Sequence, residues 1–382
     1  MNDPRGKIAR SALCAAAASP DAALASALGR AFSDYRAAFR KAEAGELPPF
    51  PVHLDADVTT RCQLRCPICP AGAGGGIYPG MGLDLDFGLY RKALAEGSPN
   101  GLRSVRLGVT GEPLLADSPE AWVAEAVGRG ITDVSLITNG QLLSPEVSRR
   151  LVGAGLTRLM ISVDAGSEEG YRSARPGGNF RRLTENIEAF LAVRGSLRLA
   201  VPVLRLSFVE REGTEAEREL FRERFSPLAD YLSFQSYSPI LERGRLARSL
   251  GLGAERGSGV LSEGRERGSG GPPVGRESAE ADGRTEKAVP GTASHPGVPR
   301  HGSPIPWCSE PFVRMCLYAD GGLFPCCSDY GRLMPAARIQ DTTIREAWHS
   351  SAAAAAREPG PPRHPACVLC RGQAGSLAAG EY

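Results

Sequence analysis

The chain has 382 residues, 42% of them hydrophobic, with 45 basic against 43 acidic side chains. That length admits one large domain and a smaller one, and a formal net charge of +2 offers no basic surface to nucleic acid or anionic lipid. No apolar run reaches the roughly 18 residues of a membrane span, so neither a nucleic acid nor a membrane is an expected partner.

The opening "MNDPRGKIARSALCAAAASPDAALASALG" has small residues like those of a cleavage site, but Ser19, Pro20 and Asp21 break its alanine-rich stretch. It makes a poor signal-peptide core, and the reading is a helix in a cytoplasmic protein. Helical character over 8–45 ends in the proline-rich "ELPPFP", giving an N-terminal helical extension over 1–50. From 51 to 240 strand and helix signals alternate. Strands are predicted at 52–58, 104–110, 133–138, 158–164, within 198–210, and at 231–237. "SPEAWVAEAVGRG" and "SPEVSRRLVGAG" each begin with a Ser N-cap and a first-turn Pro and finish at Gly. In "FRRLTENIEAFLAVRG", Phe180, Leu183, Ile187, Phe190 and Leu191 line one helix face. Repeated strand–helix units imply a parallel α/β sheet, open or curled into a barrel.

Residues 251–304 contain no Phe, Trp or Tyr and are rich in Gly, Pro, Ser and charge. Such a composition buries too little apolar surface to offset its ordering entropy, so 241–304 reads as a linker with a disordered insertion. Beyond it, "FVRMCLYADGGLFPCC" predicts a hairpin turning at Asp320-Gly321, and "TTIREAWHS" a short helix capped by threonine.

The ten cysteines are clustered: Cys62, Cys66 and Cys69; Cys308, Cys316, Cys326 and Cys327; Cys367 and Cys370; and Cys14 alone, read as a packed helix residue. Clustered thiols in an intracellular chain read as metal ligands. A structural zinc site closes its shell with four ligands, whereas "RCQLRCPIC" supplies three at C-x3-C-x2-C spacing and leaves a position open. This loop follows the first strand. Thr110-Gly111-Glu112-Pro113 follows the second, Thr138-Asn139-Gly140 ends the third, and Ser162-Val163-Asp164 ends the fourth. In parallel α/β folds such ends gather at one mouth, where sites are built. By strand period Ser162 and Asp164 share one face, opposite Leu159, Ile161 and Val163. His53, His295, His301, His349 and His364 form no metal-spaced pair, and Arg205, Glu210 and Tyr237 stand near late-strand positions without a pattern that assigns them a role.

Over residues 52–240 the chain resembles the radical S-adenosylmethionine (SAM) superfamily. That resemblance implies a partial (β/α)6 TIM-like barrel. In it Cys62, Cys66 and Cys69 hold a [4Fe-4S] cluster whose fourth iron is chelated by SAM. It also implies that Gly111 and Glu112 bind the SAM amino group, that Ser162 and Asp164 contact the ribose, and that Asn139 lines the same pocket. Ile68 stands where the family often has an aromatic residue over the adenine. After the barrel, Cys308-x12-Gly321-x4-Cys326 and the later Cys367-x2-Cys370 resemble the cysteine-rich α+β SPASM/twitch extension, placed at 305–382. With no cysteine beyond Cys370, the implied complement is one auxiliary [4Fe-4S] cluster on Cys308, Cys326, Cys367 and Cys370; a zinc ion on the same thiolates is the alternative. Cys327 competes with Cys326, which the glycine spacing favours.

The implied chemistry is reductive cleavage of SAM to a 5′-deoxyadenosyl radical, abstraction of a hydrogen atom from a small molecule, and oxidation with the auxiliary cluster as electron acceptor. A flavodoxin or ferredoxin is the implied electron donor. A maturase of a ribosomally made peptide and a non-catalytic iron–sulfur or zinc protein are the competing readings.

Overall fold

In a computed structural model the described residues are 20–69, 82–237, 308–329, 332 and 334–358. Cys14, Cys367, Cys370 and the insertion at 251–304 lie outside them. Helix α1 (Pro20–Glu43) leads to β1 (His53–Ala56). Five further helix–strand units follow: α2 (Phe87–Asn100) and β2 (Ser104–Leu107), α3 (Pro119–Gly128) and β3 (Asp133–Thr138), α4 (Pro145–Gly153) and β4 (Arg158–Ser162). Next come α5 (Glu168–Ala174) and α6 (Phe180–Ser196) before β5 (Val203–Glu210), then α7 (Glu215–Phe225) and β6 (Tyr231–Ser236). The six strands pair in parallel in chain order, with Asp55 beside Arg106 and Ile161 beside Leu206. This is the α/β architecture of a partial TIM barrel.

Side-chain alternation explains how the sheet is covered. Leu54, Ala56, Val105, Leu107, Val134, Leu136, Leu159, Ile161, Leu204 and Leu206 join one buried cluster with apolar residues of α2, α3, α4, α6 and α7. At period two the opposite face carries His53, Asp55, Ser104, Arg106, Arg158 and Arg205. A polar inner face is tolerable only because its charges are paired, as Arg158 is with Asp133 at 3.0 Å.

Helix α1 packs its buried Leu24, Phe32, Tyr35 and Phe39 with Val52 and Val203. Asp21 on α1 accepts hydrogen bonds from Arg36 at 2.9 Å and Arg158 at 3.0 Å, so the helix is tied to the inner face of β4. The helical character expected over 8–19 lies outside the described residues, which begin at Pro20. One predicted cap is corrected. Ser144 accepts from Val147 N as expected, but Ser118 takes a left-handed backbone (φ 49°) and makes no side-chain cap.

The chain then adds α8 (Glu310–Val313), β7 (Arg314–Leu317), β8 (Gly322–Phe324), β9 (Ala337–Arg338), α9 (Ile344–Trp348) and α10 (Ser351–Ala355). Strands β7 and β8 are the predicted hairpin, and Thr343 caps α9 in a reciprocal capping box with Glu346. The hairpin extends the barrel sheet, because β7 lies parallel to β1 with His53 opposite Arg314 and Asp55 opposite Cys316. The strand order is β6-β5-β4-β3-β2-β1-β7-β8-β9. No helix of the described residues is long and apolar enough to cross a membrane.

Candidate active site

The loop after β1 carries Cys62, Cys66 and Cys69 and is held from its first residue. Buried Asp57 accepts from the backbone N–H of Thr110 at 3.1 Å and from its hydroxyl at 2.8 Å, locking β1 to the turn after β2. Thr60 Oγ1 accepts from Leu83 N at 2.8 Å, and Arg61 O accepts from Glu112 N at 2.8 Å. Gly111 is demanded by this crossing. A Cβ there would lie 2.1 Å from Thr59 O and 2.6 Å from Arg61 O, so only glycine lets the cysteine loop pass.

Glu112, 1% exposed, joins the ends of β2 and β3. Its Oε1 accepts from Thr138 Oγ1 at 2.6 Å and Leu114 N at 3.1 Å, and its Oε2 from Asn139 N at 2.7 Å. Burial pushes its carboxyl above the usual range, against the pull of these hydrogen bonds. Both carboxylate oxygens thus serve the chain itself. Asn139 then reaches the cysteine loop: its Nδ2 donates to Cys62 Sγ at 3.8 Å and to Gln63 Oε1 at 3.3 Å, while its Oδ1 accepts from Gln63 Nε2 at 3.2 Å.

At the end of β4, Ser162 is half-buried opposite Ser207 of β5. Asp164 lies beyond the strand in a left-handed conformation (φ 61°), which Asp tolerates better than most residues. Its Oδ1 accepts from Val209 N at 2.8 Å and its Oδ2 from Arg175 Nη2 at 2.5 Å. Arg175 was not foreseen. It follows α5, and its Nη1 also donates to Cys66 Sγ at 3.8 Å. The turn after it presses on the cysteine loop: Pro176 O accepts from Arg65 N at 2.9 Å, and Gly177 (φ 92°) sits where a Cβ would lie 3.2 Å from Gln63 O. The "RPGG" run was the available signal, since a proline and two glycines allow a close turn.

The three thiols are therefore gathered at the ends of β1 to β4 with Gly111, Glu112, Asn139 and Asp164. Burial raises the Cys62 and Cys66 thiols, and Arg175 draws Cys66 back down. Among the described residues no three His, Cys, Asp or Glu side chains converge as a single metal ion requires. A cluster bonds each thiolate through a different iron, so its ligands need not meet at a point. All-sulfur donors suit such a cluster, and two of the sulfurs already accept N–H groups. Arg175 Nε is also buried there without a hydrogen-bond partner among the described residues, a spare donor beside the Cys66 sulfur that its Nη1 already meets. The residues fit the group.

On the hairpin, Cys326 accepts from Ser328 N at 3.3 Å. Its thiol is raised well above the usual range by burial first, then by neighbouring Cys327, Cys308 and Glu310, so Cys308 and Cys326 are neighbours. Cys327 is engaged elsewhere. It accepts from Arg314 Nη1 at 3.8 Å and donates to Glu310 Oε2 at 3.9 Å. Cys316 is wholly buried and donates to Asp55 Oδ2 at 3.6 Å. His53, given no role from sequence, bridges Ser104 and Asp55 at 2.9 Å each.

Residues 57–202 match a family model described as the radical SAM superfamily, and residues 308–371 one described as an iron–sulfur cluster-binding domain, SPASM. The GTP 3′,8-cyclase of Heliobacterium modesticaldum is 36% identical over 141 residues, 37% of this chain and 42% of the cyclase. That of Synechococcus sp. (strain CC9902) is 40% identical over 114 residues, 29% of this chain and 31% of the cyclase. The chain thus spans less than half the length of these curated relatives. Among solved structures, Streptococcus suis SuiB bound to precursor peptide SuiA superposes with a TM-score of 0.54 at 12% identity, over 84% of this chain and 69% of SuiB. Native anSMEcpe with bound AdoMet gives 0.52 at 14%, over 80% and 83%; both likenesses are of fold alone. The chain belongs to the radical SAM superfamily and carries a C-terminal SPASM domain, with SAM, a SAM-binding [4Fe-4S] cluster and auxiliary iron–sulfur as its cofactors.

Proposed function

We propose that the protein is a radical SAM oxidoreductase acting on a small molecule, with Cys62, Cys66 and Cys69 holding the SAM-binding cluster. The observation that carries this reading is the folding of the three-cysteine loop onto Glu112, Asn139 and Arg175, which sets N–H donors against two of the three sulfurs. When bound, the cluster and SAM supply one-electron cleavage of the sulfonium to methionine and a 5′-deoxyadenosyl radical that takes one hydrogen atom from substrate. The chain's part is placement. Gly111 lets the loop approach, Glu112 fixes the ends of β2 and β3, and Asp164 with Ser162 offers polar groups toward the ribose. Enclosure by the barrel holds one substrate C–H bond near the reactive carbon and keeps water out.

An auxiliary [4Fe-4S] cluster on Cys308, Cys326, Cys367 and Cys370 would take the electron that the substrate radical gives up as it loses a proton to solvent. A flavodoxin or ferredoxin supplies the reductant. The preference for a small molecule is supported by the partial likeness to GTP 3′,8-cyclases, whose named substrate is one. A second reading, modification of a peptide, is favoured by the likeness to SuiB with its precursor peptide.

The test is anaerobic reconstitution with iron and sulfide quantitation, comparing wild type with a Cys62→Ala/Cys66→Ala/Cys69→Ala variant. The expected result is about eight irons falling to about four, two clusters reduced to one, with loss of reductive 5′-deoxyadenosine formation. A loaded wild type that does not cleave SAM when reduced would make it a non-catalytic iron–sulfur protein.

A further inference from the structure

Between the barrel and the hairpin lies a buried charge network that the proposed site does not use. Arg314, the first residue of β7, is fully buried. Its Nη1 lies 3.0 Å from Asp55 Oδ2 and its Nε 2.5 Å from Glu310 Oε2. Arg106 lies 2.6 Å from Asp55 Oδ1 on the other side. Two cations and two carboxylates therefore balance between the sheet and α8. The network is not symmetric about the hairpin cysteines. Arg314 donates to Cys327 Sγ at 3.8 Å, and Glu310 Oε2 accepts from the same sulfur at 3.9 Å, one residue from Cys326. A purely structural ion pair would gain more from apolar packing at this depth, so its position beside the hairpin thiols calls for another use.

We propose that the buried Arg314–Glu310 pair sets the reduction potential of the auxiliary cluster, Arg314 raising it and Glu310 lowering it. This rests on the auxiliary cluster of the proposed function. Reduction adds one electron, and so one negative charge, to the cluster. A fixed cation against Cys327, one residue from the ligand Cys326, stabilises the reduced form and a fixed anion there opposes it, and poor water access leaves both little screened. Arg314 keeps its proton at every accessible pH, so its contribution is constant. The pair is a positioning device for charge, acting through the cysteine segment without touching substrate.

The test is an EPR-monitored redox titration of the auxiliary cluster in the full chain carrying Cys62→Ala, Cys66→Ala and Cys69→Ala, where only that cluster remains. Arg314→Gln is expected to shift the midpoint to lower potential, Glu310→Gln to higher, and Arg314→Lys to stay near the parent. Midpoints that do not move, or that move the same way in the two glutamine variants, overturn the proposal. If Arg314→Gln does not fold, Glu310→Gln decides alone, and absence of an upward shift overturns it. A parent variant with no iron at all overturns the auxiliary-cluster reading itself, which separates the two failures.

Discussion

Arg175 grips Asp164 and Cys66 with one guanidinium: Nη2 lies 2.5 Å from Asp164 Oδ2 and Nη1 3.8 Å from Cys66 Sγ. The end of β4 and the cysteine loop are thereby fixed to each other before any cofactor arrives. Arg175→Met leaves the Asp164 carboxylate buried with Val209 N as its remaining donor. The expected loss is about 3 kcal/mol of stability, together with weaker SAM binding by the reconstituted protein. Urea unfolding and equilibrium SAM binding measure the two effects. Adding Asp164→Asn should restore part of the stability, and no recovery would mean the pair is not coupled.

Gly111→Ala drives a methyl group into the carbonyls of Thr59 and Arg61. Backbone has to move, so the expected cost is about 2–3 kcal/mol, and iron bound per chain should fall because the displaced segment is the cysteine loop. Normal iron content with normal stability would show that the loop can pass farther away.

Glu112 gives stability a pH dependence of definite sign. Burial raises its carboxyl above the unfolded value of roughly 4.3. The folded state therefore binds the proton more tightly, and this contribution is complete below the unfolded pKa and lost as pH rises through the folded one. Glu112→Gln should flatten that part of the profile. It also turns one oxygen into an NH2 facing backbone and hydroxyl donors, at a cost of about 1–3 kcal/mol. Denaturation midpoints compared across the acidic range test both statements, and a parallel offset at all pH values would assign the slope to other groups.

Thr343→Ala provides the contrast. It removes the cap and the reciprocal box on α9, costing about 1 kcal/mol, while SAM cleavage should remain at the wild-type rate. A matching loss of cleavage would tie α9 to the site.

The features legible in the sequence were those written locally. The cysteine spacing, the hairpin turn at Asp320-Gly321 and the Thr343 cap each depend on residues a few positions apart. The convergence of Gly111, Glu112, Asn139 and Asp164 was legible because parallel strands bring like ends together. What escaped was set by distance along the chain. Arg175 meets Cys66 across 109 positions, and "ARPGG" signals a close turn without indicating the segment it meets. Asp55, Arg106 and Arg314 look like isolated charges within three strands until the register puts them side by side. Ser118 had the right residue for a cap but not the backbone, since its left-handed φ turns it out of capping geometry.

The placement of β7 beside β1 has a consequence for the order of assembly. β1 precedes the other strands of this sheet along the chain, yet its second neighbour lies some 260 residues later, so closing that contact carries the largest loop entropy in the sheet. Until it closes, β1 is an edge strand, and Asp57, whose N–H bonds Leu317 O at 2.9 Å, lacks the anchor from which the cysteine loop departs. The segment from which the cysteine loop departs thus gains its last backbone anchor only when β7 docks.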